Sequence, residues 1–352
     1  MLNAACIVSL AATMASAQID EARLMETLRS LPVPRAALGS AESKQNLAAT
    51  EDLIEARLRE LGYEVREEAF DWPVTPRRWG PAKKEPGPEQ PVDAKSPANE
   101  PSEPAKPVEL LPVRNLVAEI RGVGSPNQVL LVGAHFDGFE ESGAADDNGT
   151  GTAALLELAR SLKDTKPRRT IRLVFFTLEE NGLVGSRRHL SLWKAEDKRR
   201  EAAGEPRETI VGMMSLETIG YYTDEPDSQK SPIPPIKDVF EPPTVGNFIA
   251  ITGIAKHREF STRLGELMTE AQQRVPVMMV DRFPIAPPDL LRSDHAPFLL
   301  EGIPAVMITD TANFRNARYH KPEDTPDSID GPRFARVVEA LDHAIRGLAD
   351  RE

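Results

Sequence analysis

Two histidines and five carboxylates of this chain fall where they could hold divalent metals. They are His135 and Asp137 in AHFD, Asp147 in GAADDNGTG, the adjacent Glu179 and Glu180, Glu217 in SLETIG, and His320 in RYHKPEDT. Each follows an apolar, strand-like run or lies in the loop after one. A pair of metal ions needs such a set: imidazoles and carboxylates held rigidly, with one further carboxylate free to move protons.

Taken singly, each residue has a plainer reading. His135 leaves the run LLVGA, and Asp137, two residues on, projects to the same side, where it could accept the other ring N–H. A histidine satisfied at a strand end fits the same letters. Asp147 sits in a glycine-rich turn entering a helix, where Asn148 or Thr150 could simply cap. Gly143, Gly149 and Gly151 permit a tight path there, but adjacent aspartates repel without a cation. Glu179 and Glu180 close the most apolar strand. Two carboxylates there are costly without metal, and adjacent residues point apart, which suits one ligand and one proton carrier. Tyr319, beside His320, could donate to a developing oxyanion. SDHAPF (293–298) reads as a helix start capped by Ser293 or Asp294, with His295 either packing or supporting the ligands. His189, His257 and His343 lie on predicted helices among charged residues and read as surface or packing histidines.

The elements that must position these groups alternate between strand and helix. Helices are expected at 20–31, 43–61 (stopped by Gly62), 150–163, from GLVGSRRHLSLW onward, 257–273 and 332–349. Strands are expected in YEVREEAFDW, RNLVAEIRG, QVLLVGAHF, TIRLVFFTL, ETIVGMMSLE, NFIAITG and AVMITD. Residues 222–246 read as loop. Runs such as LLVGA, LVFFT and AVMIT are apolar at consecutive positions, the mark of central strands covered on both faces. The expected fold is α/β, a single domain with a central mixed, mostly parallel sheet and helices on both faces. Ligands of such sheets sit beyond the carboxyl ends of the strands, where the acidic and histidine residues fall.

The chain's 352 residues, with 40% hydrophobic content, suffice for a large core. A net charge of −12 supplies no basic stripe for nucleic acid. Residues 1–17, ending in Ala15-Ser16-Ala17, read as a signal peptide, although no basic residue precedes the apolar region. That predicts export to the periplasm or outside the cell. Cleavage would remove Cys6, the only cysteine, leaving no disulfide. No later segment is apolar enough to span a membrane. Residues 76–112 contain ten prolines among Lys, Glu, Ala and Ser and read as an extended insert that cannot repay its ordering entropy.

The stretches LLVGAHFDG, GAADDNGTGTAALLELAR, FFTLEENGLVGSRRH, LETIGYY, SDHAPFLLEGIPAVMITDT and NFRNARYHKPEDTPDSID together resemble the M28 family of zinc peptidases, which includes secreted bacterial aminopeptidases. The likeness covers roughly 40–70 and 114–350, within a domain running from 18 to 352. It implies a zinc-exopeptidase fold of the phosphorylase/hydrolase type and two Zn²⁺ ions. His135, Asp147 and Glu217 would serve one ion, Glu180 and His320 would complete the pair, and Asp147 would bridge. It further implies Glu179 as general base, Tyr319 as oxyanion donor, Asp137 among the catalytic residues, and a cis peptide at Asp147-Asn148. Glu217 stands where many members carry Asp. The implied reaction is hydrolysis of peptides with a free N-terminus by a metal-bridged water. A carboxypeptidase or a glutaminyl-cyclase-like acyltransferase would use the same fold. A non-catalytic binding module is disfavoured because no site residue is lost.

Overall fold

A computed structural model of the chain describes residues 18–74, 108–237, 240–272 and 274–351. The stretch read as a signal peptide, and the Pro-rich insert up to residue 107, lie outside these residues.

Among these residues, eight strands form one sheet: β1 (Arg66–Pro73), β2 (Leu110–Ile120), β3 (Ser125–His135), β4 (Arg169–Phe176), β5 (Thr209–Glu217), β6 (Ile249–Thr252), β7 (Val277–Val280) and β8 (Ala305–Thr309). Their order is β1-β2-β4-β3-β5-β8-β6-β7. The centre, β4-β3-β5-β8, is parallel. Antiparallel pairs join β2 to β4 and β6 to β8, and β1 pairs antiparallel with β2 at one edge. The fold is therefore the mixed α/β sheet expected. Two details differ. β2 begins at Leu110, inside the stretch read as insert. The four-residue edge strand β7 was not anticipated.

Among the described residues, seven α-helices cover the sheet: α1 (Glu21–Ser30), α2 (Ala41–Glu60), α3 (Gly151–Leu162), α4 (Val184–Ala203), α5 (Arg258–Ala271), α6 (His295–Leu300) and α7 (Gly331–Ala349). Alternation along the strands explains why both faces need helices. Leu130, Val132 and Ala134 of β3, with Ile171, Leu173 and Phe175 of β4, pack in a core shared with α1, α2, α3, α5 and α7. Leu131, Val174 and Phe176 point the other way and meet Leu190 of α4 and Phe298 and Leu299 of α6. Each such side chain stabilises by roughly 1.5–3 kcal/mol on burial. The caps follow the sequence: Asp20 accepts from Arg23 N–H, Ser40 from Ser43 N–H and Asp330 from Arg333 N–H. Gly62 ends α2 at a φ of +90°, a conformation a Cβ would strain. Among the described residues, no helix is long and apolar enough to cross a membrane.

The parallel register places the chemistry. His135 pairs with Phe176 at the carboxyl ends of β3 and β4, and Glu217 pairs with Thr309 at those of β5 and β8. Four parallel strands thus end along one rim, and the loops after them carry the remaining groups.

Candidate metal centre

At this rim the side chains converge in two groups. His135, Glu179 and Glu217 form one, and Asp147, Glu180 and His320 the other. In each, the potential ligand atoms lie within 4.8 Å of one another. Asp147 joins them. Its Oδ1 is 3.3 Å from His135 Nε2, and its Oδ2 is 2.8 Å from His320 Nε2. Glu217 Oε2 lies 3.4 Å from His135 Nε2, and Glu180 Oε1 lies 3.3 Å from His320 Nε2. Glu179 and Glu180 diverge as adjacent residues leaving a strand must, so each faces a different histidine.

The backbone that presents Asp147 is a tight turn, Ala145–Thr150, containing a cis Asp147-Asn148 peptide. Asn148 Oδ1 accepts from Gly151 N–H (3.1 Å) and Thr218 N–H (3.2 Å), tying the turn to α3 and to the exit of β5. Thr150 caps nothing with its side chain. A Cβ on Gly151 would collide with Asn148 Oδ1 and Leu216 O. From below, Asp324 accepts the N–H groups of Asp146 and Asp147. The repulsion between the adjacent aspartates is relieved by direction. Asp146 turns away and accepts from Gly220 N–H (3.1 Å) and Asn316 Nδ2 (3.0 Å).

Asp137 has a different contact from the one expected. His135 Nδ1 is nearest the Asp137 main-chain oxygen, at 3.2 Å, with the carboxylate at 3.5 Å. The Asp137 carboxylate instead accepts the N–H groups of Glu179 (3.0 Å) and Glu180 (3.2 Å). It fixes the backbone of both glutamates. The capping role read for Ser293 and Asp294 is also corrected. Asp294 makes no side-chain cap, and Ser293 Oγ donates to Glu217 Oε2 at 2.7 Å while meeting Ser215 Oγ at 2.9 Å. The bond gives the Glu217 carboxylate, one methylene further from the backbone than that of Asp, a fixed contact. His295 is buried and bonded to Leu290 O, so it packs. His189 is buried on a Glu68 carboxylate, and His343 stands half exposed near Glu270. Arg35 escaped the sequence reading altogether. It is fully buried beneath the loop after β3 and donates to Phe136 O and Ala144 O. No motif around it signals that role.

The electrostatics of the cluster favour added positive charge. Burial alone would lower His320, yet the facing carboxylates of Asp147 and Glu180 outweigh it and push the imidazole up to about 10. His135 rises likewise, against burial, through Glu217 and Glu179. Burial, reinforced by Asp147, pushes Glu180 up to about 8. Burial also raises Glu179, with Glu180, Glu217 and Asp294 adding to it. Crowded carboxylates that force protons onto two imidazoles are short of positive charge. His135 Nε2, both Asp147 oxygens, Glu180 Oε1 and His320 Nε2 are buried without a hydrogen-bond partner. Imidazole nitrogen and carboxylate oxygen suit zinc, and a pair of divalent cations would satisfy all five atoms. The residues present fit that group.

Beside the cluster lies an apolar pocket of roughly 750 Å³, its open mouth included. Glu217 and Tyr319 form its wall toward the cluster, and Ile233, Phe248, Met278 and Met307 line much of the rest. Tyr319 stacks on His320 with centroids 3.8 Å apart, and its hydroxyl receives a hydrogen bond from Arg292 at 3.3 Å.

The model of peptidase family M28 matches residues 115–345. This chain belongs to that family. An uncharacterized Escherichia coli K12 protein, YfbL, is 32% identical over 238 residues, covering 65% of this chain and 69% of YfbL. An aminopeptidase of Pseudomonas aeruginosa is 42% identical over 86 residues, 24% of this chain but only 16% of that protein. Among solved structures, a zinc aminopeptidase from Bacillus subtilis superposes with a TM-score of 0.63 at 16% identity, over 95% of this chain and 96% of that one. At that identity the likeness concerns the fold.

Proposed function

We propose that this chain is a dinuclear zinc exopeptidase that removes residues from the N-terminus of peptides. The observation that carries the reading is five unpartnered ligand atoms in two adjoining groups, with Asp147 approaching the histidine of each. His135, Asp147 and Glu217 would hold one ion, and Asp147, Glu180 and His320 the other. Zinc bound there supplies Lewis acidity, which polarises the scissile carbonyl and makes a water acidic at neutral pH.

The chain's own groups do the rest. Glu179, held by the Asp137 carboxylate, accepts the proton of the attacking water and returns it to the leaving amine. The Tyr319 hydroxyl donates to the oxygen that gains charge. The carboxylates of Glu179, Glu180 and Glu217 offer a counter-charge to a free α-ammonium, which favours N-terminal cleavage. The apolar pocket takes the side chain of the residue removed. Ser293 holds Glu217 in place. Ser293→Ala is expected to weaken zinc binding about 10–100-fold, read by competition with a chromophoric chelator. Unchanged affinity would mean that Glu217 does not need that bond.

A panel of aminoacyl-p-nitroanilides tests the reading. Leu, Met and Phe derivatives should be cleaved about 10–100-fold faster than Asp or Lys ones in kcat/KM, because burying a large apolar side chain contributes roughly 1.5–3 kcal/mol. N-acetylated substrates should be inert, and a chelator should stop release. Removal of C-terminal residues from N-blocked peptides, or cyclisation of N-terminal glutamine without hydrolysis, would contradict it.

A further inference from the structure

We infer that Phe139 builds the subsite for the residue just after the cleaved bond, and that it favours an apolar or aromatic side chain there. This rests on the exopeptidase reading and adds a specificity on the side of the leaving group.

Phe139 follows His135 by four residues, in the loop HFDGFEESGA. Its ring lies 4.2 Å from that of His320, centroid to centroid, and is tilted by 51°. Tyr319 stacks on His320 at 3.8 Å and 20°. Two rings that close to a third cannot share one face, and neither distance permits an edge-on neighbour in the imidazole plane. Phe139 and Tyr319 therefore cover opposite faces of His320. Tyr319 lines the apolar pocket and Phe139 does not. The imidazole thus separates two apolar surfaces. A peptide drawn across the cluster, with its first side chain in the pocket, carries its second toward Phe139.

A single exposed apolar side chain is ordinary on a protein surface. Two observations set this one apart. Phe139 is 37% exposed beside a ligand-type histidine, at the mouth of the cluster. The loop beneath it is also pinned on several sides. Gly138 N–H donates to Arg35 O at 2.9 Å, Ser142 N–H to Phe139 O at 3.2 Å, and Gly143 N–H to Lys321 O at 3.0 Å. The Glu140 carboxylate accepts Ser40 N–H at 3.2 Å and the Ser43 hydroxyl. An aromatic ring held this way loses little entropy when a second ring packs on it.

The competing explanation is that Phe139 only orients His320. Orientation would affect every substrate and zinc itself, whereas a subsite discriminates among leaving residues. The test is release of free leucine from Leu-Phe, Leu-Leu, Leu-Gly and Leu-Asp by the zinc-loaded enzyme, its Phe139→Ala variant and its Phe139→Leu variant. Wild type should favour Leu-Phe over Leu-Gly about 3–10-fold in kcat/KM, the size of an aromatic contact. Phe139→Ala should collapse that ratio, mainly through KM, with zinc content retained. Phe139→Leu should keep a preference for Leu-Leu over Leu-Gly. A ratio that survives in Phe139→Ala, an equal loss on all four dipeptides, or a loss of zinc would each overturn the subsite. Hydrolysis of none of them by wild type, and of no aminoacyl-p-nitroanilide, would remove the exopeptidase reading itself.

Discussion

Glu179→Gln is expected to lower kcat by about 10²–10⁴-fold while leaving zinc content unchanged. That is the range over which a positioned proton carrier contributes. The substitution keeps shape and removes only the basic oxygen, and the Asp137 carboxylate still anchors the backbone N–H at residue 179. The result separates two roles the geometry allows. Glu179 lies within ligand distance of His135 and Glu217, so it could hold metal instead of moving protons. In that case Glu179→Gln would lose zinc along with activity. Zinc content and kcat, measured on the same preparation, decide between them. Full activity in the variant would remove Glu179 from the mechanism.

Asp147→Ala should cost more. Asp147 is the residue that approaches both histidines, one oxygen to each. Its removal takes a ligand atom from both proposed metal positions and leaves His135 and His320 without the anion between them. Loss of both ions is expected, and kcat/KM should fall by about 10⁴-fold or more, as when one member of a set acting as a unit is deleted. His320→Ala serves as the contrast, since His320 belongs to one group alone. That variant should retain about one zinc. Elemental analysis after gel filtration reads both results. If Asp147→Ala kept two zinc ions, the bridging role would be gone.

Much of this arrangement is visible in the letters, for a physical reason. Strands buried on both faces must be apolar at every position, so LLVGA and LVFFT stand out, and a charged residue directly after such a run marks a sheet rim. β7 gives no such signal, because four residues at a half-covered edge, VMMV, read like any short apolar run. The types and order of the residues that converge at the rim are equally legible. What each side chain touches is not. Asp137 beside His135 suggested an imidazole partner, but the fold brings the N–H groups of Glu179 and Glu180 to it from the loop after β4, 42 and 43 residues away in sequence. Ser293 at the head of SDHAPF matched a helix cap, whereas parallel pairing sets β5 beside β8 and leaves the serine over Glu217. Arg35 and Phe139 had no local pattern at all. One lies under the loop after β3 and the other on it, and only the folded chain shows that this loop forms a wall of the cluster.

The most direct test of the account is zinc titration of the chelator-stripped chain, with bound metal and leucyl-p-nitroanilide turnover followed together. About two zinc ions should bind per chain, and activity should return with occupancy. Saturation at one ion, or turnover that persists in the stripped chain, would contradict a dinuclear centre built on Asp147.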